Sequence, residues 1–252
     1  MATSRVAFVS DMHGNLPAFE AVLAELERRG PFDVIVGGGD FAAAGLYPAE
    51  CVARLRALGW PAVRGNTEEW VVEAATDGAT SARGVPKEMQ ARGEGLRAVD
   101  RFCAERLDDD ALEYLGNLPL SWETDGHSGQ RLVFVHANPW NTHAVIAPDA
   151  DDAVLEQALD AADAQLLLYG HIHYAYQRQV GDRTIGCIGA VGAPMDGDPR
   201  PCFAIAEDDG GGWRVEHVRV EYDREAYFED LSASDFPNAE AHVAALRAAR
   251  HP

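Results

Sequence analysis

Five metal-seeking side chains occur in one kind of place along this chain, each just after a short apolar run: Asp11, Asp40, Asn66, His136 and His171. Two more imidazoles accompany them. Asp11-Met12-His13 can turn both side chains toward one point if the backbone bends at Gly14. Gly170-His171-Ile172-His173 sends out two imidazoles two residues apart, a spacing that suits adjacent cation sites. A mixed set of carboxylate, amide and imidazole ligands suits Mn, Fe, Zn, Co or Ni better than Ca. Taken singly, each motif has a plainer reading. Asp40, after Gly37-Gly38-Gly39, is an ordinary turn or cap aspartate; Asn66 is a helix N-cap with Glu68 in the first turn; His136 is a satisfied core histidine. Their common position decides between the readings, because the carboxyl ends of strands line the ligand crevice of open α/β sheets.

The elements that must position these residues follow from the hydrophobic pattern. Arg5 to Ser10 is a short buried strand, and Leu16 to Arg29 a helix with Leu16, Phe19, Val22, Leu23 and Leu26 on one stripe, ended by Gly30-Pro31. Asp33 to Val36 is a strand, Pro48 to Leu58 a helix, and Trp60 to Arg64 a third strand. This rhythm predicts an α/β fold with a parallel sheet and covering helices. From Glu69 to about Leu118 the pattern becomes polar and partly helical, clearest over Glu94 to Arg106, with a loop at Thr76 to Gly84. We read 69–118 as a helical insertion lying over the strand ends. Strands return at Arg131 to Val135 and Gln165 to Tyr169, with a helix from Asp151 to Ala162 between them. Further strands are predicted at Thr184 to Ile188, Cys202 to Ala206 and Trp213 to Val220, with a hairpin turn at Gly210 to Gly212. Helices near Arg224 to Leu231 and Glu240 to Ala249 form a C-terminal tail over 224–252 of a single domain spanning 1–252.

Composition narrows the partners. The 252 residues carry a net charge of -20, which repels nucleic-acid backbones and anionic membranes and argues against a nuclease. Bound cations would reverse that field locally for a small anionic substrate. The four cysteines are scattered without a C-x-x-C pair, as small buried hydrophobes of a reducing cytosol are. No apolar run is long enough for a signal segment or a membrane span, so a cytoplasmic protein is expected.

The ordered set Asp11/His13, Asp40, Gly65-Asn66, His136 and Gly170-His171/His173 resembles the calcineurin-like metallophosphoesterase superfamily over residues 5 to about 207. Gly189-Ala190-Val191-Gly192-Ala193-Pro194 and Asp196-Gly197-Asp198-Pro199-Arg200 are similar to a segment of its small bacterial and archaeal phosphodiesterase branch. The resemblance implies a four-layer α/β/β/α sandwich holding two divalent metal ions. Asp11, His13, Asp40 and His173 would hold one, and Asp40, Asn66, His136 and His171 the other. It implies hydrolysis of a small phosphate ester, phosphodiester or nucleotide by in-line attack of a hydroxide bridging the metals, with Asp40 and Asn66 in the catalytic centre. Because one eukaryotic retromer subunit of this fold serves as a scaffold, a non-enzymatic interaction module is the alternative.

The chain departs from the family at Thr67, where many relatives carry a His that contacts the phosphate or protonates the leaving group. Loss of a general acid is worth roughly 10²- to 10⁴-fold. His143, seven residues after His136, is the candidate replacement. Arg64 and Arg200 are candidates to bind a second phosphate through the guanidinium fork, and Trp140 to stack a nucleobase. Asp40 is followed by Phe41-Ala42-Ala43-Ala44 and Asn66 by Thr67-Glu68, which argues against the protein Ser/Thr phosphatase branch.

Overall fold

Val6 and Phe8 pack into one core and Ala7 and Val9 into another, because successive side chains of a strand project to opposite faces. A strand apolar on both faces must be covered on both, and that requirement organises the computed structural model, which describes residues 4–76 and 94–250. The first half runs β1 (Ser4–Val9), α1 (Leu16–Arg29), β2 (Val34–Gly37), α2 (Pro48–Leu58), α3 (Asn66–Ala75), α4 (Glu94–Ala104) and α5 (Asp109–Gly116). Next come β3 (Ser121–Asp125), β4 (Arg131–Val135), α6 (Asp152–Ala162), β5 (Leu166–Tyr169), β6 (Ala175–Val180) and β7 (Arg183–Ile188). β8 (Cys202–Asp208), β9 (Trp213–Arg219), α7 (Arg224–Ala233) and α8 (Ala239–Ala248) end it.

The strands form two sheets, ordered β2-β1-β8-β9 and β3-β4-β5-β7-β6. Val6, Phe8, Val36, Leu132, Phe134, Leu166 and Leu168 fill the space between them, with Phe8 stacked on Phe134 at 5.0 Å. The outer face of the first sheet is covered by α1, α2 and a helical layer whose Phe102, Leu115, Phe228 and Leu231 share one apolar cluster with Ala7, Val9 and Phe19. The outer face of the second is covered by α6 through Leu155, Ala158 and Leu159. Four layers result, helix on sheet on sheet on helix. Residues of the 94–118 segment and of the C-terminal helices are thus part of the main core. None of the described helices is long and apolar enough to cross a membrane. All four cysteines are buried and none is paired.

β1 and β2 run parallel, ending together at Val9 and Gly37, and β4 and β5 run parallel, ending together at Val135 and Tyr169. Four of the expected side-chain donors therefore leave from two pairs of adjacent strand ends. The fifth strand end is different. In place of a strand over Trp60 to Arg64 there is one bridge, Gly37 to Ala62. Gly37 donates to Pro61 O (2.9 Å) and accepts from Val63 N (2.9 Å), but at the next rung Gly39 O accepts from Asp11 N (3.0 Å) and Gly65 N turns to Glu68 (2.8 Å), so the pairing stops. The expected parallel pairing is present between β1 and β2, and β8 joins the same sheet antiparallel to β1. Part of the expected Thr76 to Gly84 loop lies outside the described residues.

Candidate functional site

Where β1, β2 and β5 end, the backbone enters the left-handed region. Asp11 (φ 56°), His13 (47°), Asp40 (55°), His171 (65°) and His173 (61°) are five of the nine described non-glycine residues with positive φ. Such residues are uncommon, with Asp and His enriched, and each costs about 1–3 kcal/mol unless its surroundings fix it. Here they are fixed by hydrogen bonds between the turns. Asp11 N donates to Gly39 O (3.0 Å), His13 N to Asp40 O (2.9 Å), Gly170 N to His136 O (2.8 Å) and Gly192 N to Asp11 O (2.8 Å). Strain concentrated on the residues able to bind a cation marks them as one site.

Glycine is needed where these turns touch. A Cβ on Gly170 would lie 2.5 Å from Asp11 Oδ2, and one on Gly65 would collide with Asp40 Oδ1 and lie 2.6 Å from Asp40 N. Gly65→Ala is therefore expected to displace Asp40 and cost about 1–3 kcal/mol. At about 2–4 °C per kcal/mol for a chain this size, the melting temperature falls several degrees. A variant that melts like the parent and binds Mn²⁺ equally well would reject this account of the turn.

The turns bring the seven expected residues together as two adjoining groups that share Asp40. In the first, Asp11, His13, Asp40 and His173 place one ligand atom each within 4.8 Å of one another. His173 Nε2 is 3.2 Å from Asp11 Oδ1, and His13 Nε2 is 3.6 Å from Asp40 Oδ2. In the second, Asp40, His136 and His171 do the same. His136 Nε2 lies 3.4 Å from Asp40 Oδ1 and 2.9 Å from Asn66 Oδ1.

Backbone carbonyls set the imidazole tautomers, because a carbonyl only accepts. Nδ1–H donates to Ala43 O from His13 (2.7 Å), to Ala193 O from His173 (2.6 Å) and to Gly38 O from His136 (2.8 Å). All three Nε2 atoms then face the cluster. His171 is the reverse: its Nε2–H donates to His143 O (3.0 Å), which leaves Nδ1 facing inward. Nε2 of His13 and Nε2 of His173 are only 3.0 Å apart. Two lone pairs at that distance repel unless a proton or a cation stands between them. The buried Asp and His groups thus form a site able to hold metal.

The electrostatics agree. Burial by itself raises Asp11 and Asp40, but the imidazoles of His173 and His136 outweigh it and hold both carboxyls below their usual range. Burial lowers His136, yet Asp40 carries it up to about 10, and Asp11 likewise raises His173. Burial and a neighbouring imidazole lower His13 and bring His171 down to about 4. Without metal, His136 holds a proton directed at Asn66 Oδ1.

Three residues of the first turn of α3 were not foreseen in these roles. Thr67, through both N (3.0 Å) and Oγ1 (2.9 Å), donates to Asp40 Oδ1. Glu68 accepts from Asp40 N, Phe41 N and Gly65 N, each at 2.8 Å, and burial beside Asp40 pushes its carboxyl up to about 7. Glu69 accepts from His143 and Thr142. Glu68, three residues after the N-cap Gly65 and able to accept from its N–H, was the readable signal.

The remaining candidates have other partners. Arg64 donates to Gly116 O (3.0 Å) and lies 3.4 Å from Glu69. Arg200 is bidentate on Asp198, with Nη2 at 2.6 Å, inside its own Asp-Pro-Arg turn. Trp140 is 48% exposed on the loop after β4, the side chain most open to a ligand of the four. The His143 ring bonds Glu69 through Nε2 (2.9 Å) and stacks on Trp70 at 5.7 Å, while its Nδ1 is buried without a partner. Nε2 is therefore committed to Glu69 and not to a leaving group.

Comparison with known proteins matches this architecture. A crystal structure of a metallophosphoesterase from Sphaerobacter thermophilus is 27% identical, with a TM-score of 0.74 over 98% of this chain and 100% of that one. The structure of a hypothetical protein from Pyrococcus horikoshii, 21% identical, has the same fold, with a TM-score of 0.79 over 96% and 97%. An uncharacterized protein of Methanocaldococcus jannaschii is 28% identical over 94% of this chain and 96% of its own. The family model of the calcineurin-like phosphoesterase superfamily domain matches residues 5–211, and the chain belongs to that superfamily.

Proposed function

We propose that the protein is a phosphoesterase that works with two divalent transition-metal ions, of which Mn²⁺ is the first to test. Asp11, His13, Asp40 and His173 hold one ion, and Asp40, Asn66, His136 and His171 the other. The observation that carries this reading is the pair of donor groups built around one shared carboxylate, each with imidazole lone pairs in need of a positive partner. When bound, such ions act as Lewis acids toward phosphoryl oxygens and lower the pKa of a water to near neutrality for in-line attack. The chain's own residues hold the arrangement: Thr67 fixes Asp40, Glu68 ties the Asp40 and Gly65 turns together, and backbone carbonyls set the imidazoles.

The substrate is a small phosphorylated molecule. A surface of net charge -20 leaves the metal centre as the place that attracts an anion, which disfavours long nucleic acids. Trp140 is the residue we assign to stacking a planar leaving group. Thr67 supplies no strong acid and His143 Nε2 is bonded to Glu69, so esters with good leaving groups or phosphate anhydrides are favoured. The four buried, unpaired cysteines support a cytoplasmic setting. Hydrolysis of bis-p-nitrophenyl phosphate and p-nitrophenyl phosphate with Mn²⁺ tests the reading. Turnover is expected, and the ratio of rates separates diesterase from monoesterase. No turnover of either with two Mn²⁺ bound would favour a non-enzymatic scaffold.

A further inference from the structure

The imidazoles of the site are not supported alike. His13, His136 and His173 rest on carbonyls of Ala43, Gly38 and Ala193. The first two belong to the segments that follow Asp40 and β2. His171 rests on the carbonyl of His143, in the irregular loop between β4 and α6. That loop is braced internally by Asn138 and Asn141. Asn138 Oδ1 accepts from Trp140 N (2.8 Å) and Asn141 N (2.9 Å), and Asn141 Oδ1 from His143 N (2.9 Å) and Ala144 N (2.7 Å). It is joined to α3 through Glu69, which takes His143 Nε2–H at 2.9 Å on one oxygen and Thr142 Oγ1–H at 3.1 Å on the other. The His143 ring lies on Trp70, one residue further along.

Residues three apart on a helix share a side, so α3 presents Asn66 and Glu69 together. It reaches the second cation position twice: directly through the Asn66 amide oxygen, and indirectly through Glu69, His143 and His171.

We propose that Glu69 and His143 form a latch whose function is to set the His171 ring, and hence the affinity of the cation position made by Asp40, Asn66, His136 and His171, without affecting the other position. The proposal rests on the two-cation reading above. Both are positioning residues: the Glu69 carboxylate and the His143 side chain touch neither cation. Partners of this kind are typically worth 10- to 100-fold in metal affinity.

The test is calorimetric titration of metal-free protein with Mn²⁺, using wild type, Glu69→Ala, His143→Ala and the double variant. Each single variant should weaken one equivalent of Mn²⁺ by roughly tenfold or more and leave the other unchanged. The losses of the two single variants should be less than additive in the double variant, because both remove the Glu69–His143 contact. Glu69→Gln, which keeps an acceptor for His143 Nε2–H, should restore the affinity. If Glu69→Ala does not fold by circular dichroism, Glu69→Asp breaks the reach while keeping the charge. Equal weakening of both equivalents, additive losses, or unchanged affinity would each overturn the latch. Wild type that binds fewer than two Mn²⁺ would instead overturn the two-cation reading, and the latch with it.

Discussion

Asp40→Asn should reduce hydrolysis of bis-p-nitrophenyl phosphate by roughly 10²- to 10⁴-fold and lower Mn²⁺ binding from two equivalents to one or none. Asp40 is the side chain common to both donor groups. Its Oδ1 accepts from Thr67 and faces His136, and its Oδ2 faces His13 at 3.6 Å. Asparagine keeps the volume and removes the charge, replacing one acceptor with a donor that faces an imidazole or a cation. Two neighbouring cations repel, and the pair is tolerable only where carboxylate charge lies between them. Removing one partner of a buried charge pair costs about 3–5 kcal/mol, which is the stated factor in rate at about 1.4 kcal/mol per tenfold. The measurement is kcat/KM at saturating Mn²⁺, with metal content determined on the same sample. An Asn variant that retained two equivalents and most of its activity would show that Asp40 does not bridge.

Much of this site was legible in the sequence because its residues follow strands buried on both faces. Val6 to Val9, Leu132 to Val135 and Leu166 to Tyr169 are unbroken apolar runs, and a polar residue at the end of such a run stands out. The helices over Leu16 to Arg29 and Pro48 to Leu58 were equally readable, because a Pro opens each and a Gly closes it. The hidden parts were those whose signal is not local. In β3, exposed and half-buried positions alternate with no buried one, so its Ser-Trp-Glu-Thr-Asp segment carries no hydrophobic stripe. The expected strand at Trp60 to Arg64 had the right residues, but after Gly37 its next partner, Gly39 O, is taken by Asp11 N. Thr67 looked like a missing acid, whereas its hydroxyl is spent on a carboxylate 27 residues away. His143 was found by its distance from His136, yet its partner lies 74 residues earlier in the chain. Strand ends can be read one at a time, but the contacts that aim their side chains exist only once the turns have met.

Those aimed side chains set the second large expectation: loading the metal-free protein with Mn²⁺ near neutral pH should release at least one proton. Metal ligands must present lone pairs, and the metal-free cluster holds protons where lone pairs are required. His136, raised to about 10 by Asp40, is protonated at pH 7, and Asp11 raises His173. His13 and His171 are lowered and contribute none. The sign of the pH dependence follows. A histidine raised in the folded state stabilises that state fully below its ordinary value of 6.5, and loses the contribution as pH climbs through about 10. Metal-free protein therefore loses this part of its stability on the alkaline side. Mn²⁺ affinity moves the other way, rising about tenfold per pH unit for each proton displaced. The stabilisation Mn²⁺ confers should thus be larger at about pH 8 than at about pH 6, and chelation should cost more degrees of melting temperature there. Titration calorimetry in buffers of different ionisation enthalpy counts the protons directly. A heat of binding independent of buffer would mean that the imidazoles were already neutral, and that the 3.0 Å approach of His13 to His173 is held by something other than a shared proton.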